Sequence, residues 1–250
     1  MSFSIITATF NSEETIKSTL LSLNTQTHTN YEHIIIDGAS TDNTINVIND
    51  FARRTPKVIS EKDNGIFDAL NKGLDVATGE YIGFLHSDDT YASNCVLQSV
   101  LDCIHEFKPD IVYGNLNYVS GSENNSILRY WRAGEFSRSK LKYGWMPPHP
   151  TFFVKRKLYK QLGGFNTKYK ISADYDSVLR FMNAPQREVR YIDRVLVNMT
   201  VGGNSNRLSN IIPKMKEDFL ILQENGFRPM LGLLGKNIQK ISQIRLKKSV

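Results

Sequence analysis

Apolar residues along this chain fall into two alternating kinds of segment. Short runs in which nearly every position is apolar, at 3–8, 33–37 and 80–86, predict strands buried on both faces. Between them the apolar positions recur at helical spacing. Ile16, Leu20 and Leu23 follow Ser12; Ile45, Ile48, Phe51 and Ala52 follow Ser40-Thr41-Asp42; Ile66, Ala69, Leu70, Gly73, Leu74 and Ala77 make a third face. Ser12 and the Ser-Thr-Asp run are suitable N-caps for the first two helices. A further short strand is predicted over 57–60. Strands that alternate with helices imply parallel pairing with right-handed crossovers.

The rhythm changes after residue 108. A strand is predicted over 111–119, a polar loop over 120–126, and another strand over 151–154. Pro147, Pro148 and Pro150 exclude a helix interior over 143–150. A short helix over 156–162 is closed by Gly163-Gly164. Ser172 caps a helix whose inner face is Tyr175, Val178, Leu179 and Met182. Residues 189–201 alternate polar and apolar, as an antiparallel or edge strand does. Gly202-Gly203-Asn204-Ser205 reads as a flexible loop, and helices follow from about 207. The expected organisation is a catalytic domain over 1–206, in halves 1–108 and 109–206, followed by a helical extension over 207–250.

Charge separates that extension from the body. Residues 226–250 carry Arg228, Lys236, Lys240, Arg245, Lys247 and Lys248 and no acid, which equals the whole net charge of +6. The body is neutral, so a broad nucleic-acid surface is not expected. Leu231, Leu234, Ile238 and Ile241 share one face of a helical wheel, with Lys236, Lys240 and Lys247 opposite. Such a helix suits an anionic membrane surface, or packing against the domain or a second copy of the chain. No run of about 18 apolar residues or cleavable leader is evident, so no spanning helix is expected, and a cytoplasmic protein peripheral to the membrane fits the basic tail. Cys95 and Cys103 sit in one predicted helix about 12 Å apart, too far for a disulfide.

Polar groups cluster where the predicted strands end. Thr7, Thr9 and Asn11 follow the first, Asp37 ends the second, Asp63 follows the third, and Ser87-Asp88-Asp89 ends the fourth. Open α/β sheets bind ligands at these strand ends. The first loop contains no glycine, and neither Gly-x-Gly-x-x-Gly nor a P-loop occurs in the first half, so a backbone cradle for a dinucleotide or triphosphate is not expected. Two adjacent carboxylates repel unless a positive charge joins them, and a divalent cation holding a phosphate is the natural candidate. No Gly-x-Ser-x-Gly elbow is present.

The order of motifs resembles family 2 glycosyltransferases of the GT-A fold. The resemblance runs through Ser4-Ile5-Ile6-Thr7-Ala8-Thr9-Phe10-Asn11, then Glu32-His33-Ile34-Ile35-Ile36-Asp37-Gly38-Ala39-Ser40-Thr41-Asp42. It continues through Asp63-Asn64-Gly65-Ile66-Phe67-Asp68-Ala69-Leu70-Asn71-Lys72-Gly73 and Ala77-Thr78-Gly79-Glu80-Tyr81. It is strong over 3–90, fair over 147–203, and absent beyond about 210. The subgroup resembled builds bacterial surface polysaccharides such as colanic acid, O-antigen and capsule. The resemblance implies a Rossmann-like nucleotide-binding domain with a mixed central sheet and C-terminal helices. It implies an inverting enzyme that moves a sugar from a nucleoside diphosphate sugar, a UDP-sugar foremost, to a hydroxyl of a lipid-linked glycan at the inner face of the cytoplasmic membrane.

Roles carry over position by position. Asp37 would bind the base, with Thr7, Thr9 and Asn11 framing base and ribose. Asp63 would lie beside the base, and Lys72 near the phosphates. Ser87-Asp88-Asp89 corresponds to the metal motif, with Asp88 as the ligand for Mn²⁺ or Mg²⁺ and Asp89 in support. His86 stands where that motif usually has its first acid, and would touch ribose or metal unless it is a plain strand-end histidine. Asp174 corresponds to the catalytic acid before a helix, the group that takes the proton of the acceptor hydroxyl. Trp145 and His149 would face the acceptor or diphosphate unless they pack in the core, and Gly203 would belong to a loop closing over the donor. Two alternatives stay open. One is a sugar nucleotidyltransferase, which usually has a glycine-rich basic signature that this chain lacks. The other is a catalytically inactive sugar-nucleotide-binding module.

Overall fold

The computed structural model describes residues 1–121, 126–202 and 210–244, with side chains described as far as residue 239. In the first half, β1 (Phe3–Thr9) lies between β2 (Tyr31–Asp37) and β4 (Tyr81–Phe84), and β3 (Lys57–Ser60) pairs with β2, all in parallel. Their connections are α1 (Ile16–Asn24), α2 (Thr44–Phe51) and α3 (Ile66–Val76). Every residue of β1 is buried, as expected of a strand covered on both faces. The register sets Thr9 opposite Asp37 and Asp37 opposite Ser60, so the polar strand ends form one row.

The second half turns the sheet mixed. The remaining elements are β5 (Thr90–Tyr91), α4 (Val96–Phe107), β6 (Ile111–Val119), β7 (Ile127–Trp131), α5 (Arg138–Leu141), β8 (Phe153–Lys155), α6 (Arg156–Leu162), α7 (Ala173–Asn183), β9 (Val189–Thr200), α8 (Ile211–Glu224) and α9 (Pro229–Ile244). The strand order is β3-β2-β1-β4-β8-β6-β9-β5, with β7 added to β6. The mixed α/β fold expected from the sequence is therefore present. Pairing of β9 differs from expectation: it runs parallel to β6 and carries β5 antiparallel on its other side. Its polar alternation reflects one poorly covered face, not a free edge. The short β5 and α5, and β7 after the polar loop, have no counterpart among the predicted elements. β4 stops at Phe84 because a turn, closed by the Asp89 N–H to the His86 carbonyl at 3.0 Å, begins two residues later.

The C-terminal helices share the body's core. Ile221 and Leu222 of α8 are fully buried in the cluster that holds Ile6, Phe84 and Tyr175. α9 approaches the body backbone to backbone. Gly144 has a φ of +70°, and a β-carbon there would collide with the Gly232 carbonyl oxygen. Lys236, expected on the wet face of this helix, instead points inward. Its ammonium pairs with the buried Asp218 at 2.7 Å, and the Lys236 side chain is largely covered. Leu231, Leu234 and Ile238 are the residues that face out. Lys240, Ile241 and Lys247 lie outside the described side chains.

Candidate active site

A cavity of about 540 Å³ opens at the carboxyl ends of β1 and β4. Ser12, Ser87, Asp88, Tyr118, Trp131 and Asp174 all line it. The turn after β4 is tied to its surroundings from below. The Ser87 and Ser12 hydroxyls lie 3.0 Å apart, and the Asp88 carbonyl accepts from the Thr200 hydroxyl at 2.6 Å. Asp89 is buried beneath this turn. Its Oδ1 accepts from the Thr200 N–H at 3.3 Å, while Oδ2 has no hydrogen-bond partner. Burial, reinforced by the neighbouring Asp88 charge, holds the Asp89 carboxyl well above the usual range.

Two histidines stack behind the turn. His149 lies on Phe84 with ring centroids 5.2 Å apart, and His86 lies 6.5 Å from His149. Burial lowers the His86 imidazole, although the Asp88 and Asp174 charges both oppose that shift. One ring therefore feels both of the acids singled out in the sequence. Burial pushes His149 down to about 4, and His33, in β2, also to about 4. A buried neutral histidine makes a fold acid-labile, because the unfolded chain takes up the proton first. Stability is expected to fall as pH drops from the ordinary value of 6.5 towards 4. The slope would be at most about 1.4 kcal/mol per pH unit for each of the two rings. Urea midpoints at successive pH values check this. A midpoint unchanged down to pH 5, or one that His33→Gln and His149→Gln leave equally steep, contradicts it.

The residues at the turn fit a divalent cation of one particular kind. Among the described residues no group of three or more His, Cys, Asp or Glu side chains converges as a closed metal site. Asp88 nevertheless faces the cavity, flanked by two orphaned buried atoms, His86 Nδ1 and Asp89 Oδ2. One or two carboxylates with an open remainder suit a cation that completes its shell with phosphate oxygens.

Asp174 stands in the first turn of α7. Its Oδ1 accepts from the Tyr175 N–H at 2.8 Å, which orients the carboxylate towards the cavity it lines. Asp176 serves the scaffold instead. It pairs with Arg180 at 2.8 Å, and Arg180 also donates to the Leu162, Gly163 and Gly164 carbonyls. That pair ties the end of α6 to α7, whereas Asp174 lines the cavity.

Other expected site residues fall elsewhere. Thr7 is fully buried; its hydroxyl donates to the Leu85 carbonyl at 2.7 Å and meets His33 Nε2 at 2.9 Å, so it does not frame a ligand. Thr9 is likewise buried, on the same side of β1, whereas Ala8 lines the cavity. Lys72 pairs with Glu61 at 2.8 Å and donates to the Lys62 carbonyl at 2.9 Å, and it does not line the cavity. Trp145 packs in the core, its indole N–H donating to the Ala133 carbonyl at 3.2 Å, and does not offer a face to a sugar. Asn11 and Asp63 lie in the loops after β1 and β3, and Asp37, which ends β2, is fully buried between them; none of the three lines the cavity itself. Asn11 Oδ1 accepts from the Thr41 N–H at 2.9 Å, and Asp37 accepts from the Ser40 N–H and the Ser60 hydroxyl. Gly38 lets these loops meet, since a β-carbon there would lie 2.7 Å from Asp63 Oδ2. Gly203 lies outside the described residues.

The cavity also contains groups that no sequence motif marks. Tyr118 and Trp131, on paired strands β6 and β7, lie with ring planes 5° apart. Met146, Lys170, Lys214 and Lys236 line the side near Asp174.

The model of glycosyl transferase family 2 matches residues 4–171, about two thirds of the chain and all four parallel strands of the first half. The chain belongs to glycosyl transferase family 2. It is therefore a glycosyltransferase. A PGL/p-HBAD biosynthesis glycosyltransferase of Mycobacterium bovis is 32% identical over 82% of this chain and 80% of its own length. A chondroitin synthase of Pasteurella multocida is 29% identical over 80% of this chain, which spans 20% of that larger protein. Among solved structures, S. aureus TarS 1–349 in complex with UDP-GlcNAc aligns with 99% of this chain and 74% of its own (TM-score 0.72, 20% identity). The mannosyltransferase PcManGT from Pyrobaculum calidifontis, in complex with GDP-Man and Mn²⁺, aligns with 98% of this chain and 70% of its own (TM-score 0.66, 18% identity). These structural likenesses place the glycosyltransferase in the same fold.

Proposed function

We propose that this family 2 glycosyltransferase moves a sugar, with inversion, from a nucleoside diphosphate sugar to a hydroxyl of a growing, lipid-linked bacterial surface glycan. A uridine donor is the first candidate. The observation that carries this reading is that Asp88 and Asp174 line one cavity and act on the same histidine. An inverting transfer needs one carboxylate to accept the hydroxyl proton and counter-charge for the departing diphosphate. Asp174 takes the first role. Asp88, with His86 and Asp89 behind it, would hold a Mn²⁺ or Mg²⁺ ion, which when bound neutralises charge on the leaving group. Asn11, Asp37 and Asp63 frame the base end. Trp131 and Tyr118 give the acceptor side an aromatic wall.

The exposed apolar residues Leu231, Leu234 and Ile238 on α9, and Ile212, Met215 and Leu220 on α8, support a peripheral position on a membrane. Basic residues without acids in 226–250 support an anionic surface, the inner face of the cytoplasmic membrane. Among the described residues no helix is long and apolar enough to cross it. The same face could instead bury itself in a homo-oligomer, and vesicle sedimentation alongside light scattering separates the two.

A panel of nucleotide sugars tests the reaction. One donor class is expected to raise the melting temperature in a divalent-ion-dependent way and to be hydrolysed slowly without acceptor. Formation of a nucleotide sugar from a nucleoside triphosphate and a sugar phosphate would make the protein a nucleotidyltransferase instead. Failure of every donor to bind would overturn the reading.

A further inference from the structure

Helices α8 and α9 lie beyond the matched family residues 4–171, yet they close one end of the cavity. Lys214 of α8, Lys236 of α9 and Lys170 from the loop before α7 all line it. All three are attached to the start of α7, where Asp174 stands. Lys214 Nζ donates to the Ser172 hydroxyl at 3.4 Å, and Lys236 Nζ lies 3.5 Å from the centroid of the Tyr175 ring. Lys214 and Lys236 act on each other as like charges, and burial costs the Lys236 ammonium hydration, while Lys170 stays exposed at the rim.

Two of the nearby acids are already engaged. Glu217 is spent on backbone, accepting from the N–H groups of Lys170, Ile171 and Ser172 at 2.8, 2.9 and 2.8 Å. Asp218 is taken by Lys236. Among the described residues, Lys170 and Lys214 have no ion-pair partner within 4.0 Å. Burial, aided by the Lys214 charge, brings Lys236 down to about 8 despite its pairing with Asp218. Lys170 and Lys214 thus border the open cavity beside Asp174 without an ion pair of their own.

We propose that Lys170, Lys214 and Lys236 form an acceptor subsite that holds a phosphate-type oxyanion beside Asp174. The proposal rests on the glycosyl-transfer reading, in which the donor diphosphate is anchored at the Asp88 turn on the other side of the cavity. The anion belongs to the acceptor and presents a nearby hydroxyl to the base. Lys170 and Lys214 bind it directly. Lys236, held by Asp218 and the Tyr175 ring, supplies fixed positive charge behind them.

The test uses the full-length protein saturated with divalent cation and with the nucleoside diphosphate chosen by the donor panel. Inorganic phosphate is titrated in by calorimetry. Phosphate is expected to bind this loaded protein, and the double variant K170Q/K214Q to weaken that binding by about tenfold or more. Nucleotide affinity should stay within about twofold, and K214R should restore phosphate binding. Lys236→Met is checked first by urea unfolding, because it strands Asp218; Lys170 and Lys214 keep the test intact if it fails to fold. Competition by glucose 6-phosphate points to a glycan-borne phosphate, and competition by dodecyl phosphate micelles to the lipid linkage.

The proposal is overturned if phosphate ignores the nucleotide-loaded protein, or if neither organic phosphate competes. It is also overturned if K170Q/K214Q weakens nucleotide as much as phosphate, since the lysines would then grip the donor. Protein that binds no nucleoside diphosphate at all refutes the glycosyl-transfer reading itself, and phosphate titration without nucleotide still reports on the lysines.

Discussion

Asp174→Asn is expected to lower turnover by about 10²–10⁴-fold while donor affinity changes by less than about twofold. The carboxylate is held by one oxygen, which accepts the Tyr175 N–H at 2.8 Å. An asparagine can keep that bond through its own carbonyl, so the start of α7 need not move. What it loses is an oxygen able to take a proton. Asp176, two residues on, cannot substitute: it is buried and shared between Arg180 and Asn225. Single-turnover rates and donor binding, measured on the same preparations, separate the two effects. A collapse of donor affinity would move Asp174 into the donor site and leave the base to be found elsewhere. An unchanged rate would remove it from the chemistry.

The parts of this enzyme that are legible in the sequence are those carried by local pattern. Buried runs mark β1, β2 and β4, and a polar residue that ends such a run lies at a strand end whatever the sheet order. Asp37 and Asp88 are therefore placed correctly along the chain by pattern alone, though only the register of β1, β2 and β3 sets Asp37 between Thr9 and Ser60. Thr7 and Thr9 show the limit. Successive side chains of a strand face opposite sides, and the cavity is served by Ala8, the residue between them.

Of the two tryptophans, the sequence points to Trp145 for the acceptor or diphosphate side, and the structure offers Trp131. The pairing of β7 with β6 turns Trp131 to the cavity, and that pairing follows a polar loop that breaks the periodicity. Lys236 departs from expectation for a different reason. A helical wheel assumes that the charged side is wet, but the partner that reverses the assumption, Asp218, lies on another helix. Lys72 departs in the same way, since Glu61 reaches it from the end of β3.

Asp88→Ala is expected to reduce turnover by about 10³-fold or more and to abolish the divalent-ion dependence of donor binding. Asp88 is the half-buried carboxylate of the β4 turn that faces the cavity. Its backbone carbonyl, not its side chain, holds the Thr200 hydroxyl, so removing the carboxylate leaves the turn tied. The two groups behind it are poor replacements. Burial is the leading cause that keeps the Asp89 carboxyl protonated to higher pH and depresses His86, and that cause persists when Asp88 is gone. Losing the Asp88 charge does relieve part of the upward push on Asp89, so a small residual ion dependence would point to Asp89 as a weak substitute. Asp89→Asn serves as the contrast: buried and bonded to the Thr200 N–H, it should disturb stability more than ion binding. Mn²⁺ titration followed by electron paramagnetic resonance, with donor present and absent, reads the ion independently of turnover. Full activity of Asp88→Ala, or of the unaltered enzyme in excess chelator, would mean that the diphosphate is neutralised by side chains alone. The lysines around α7 would then be the first place to look.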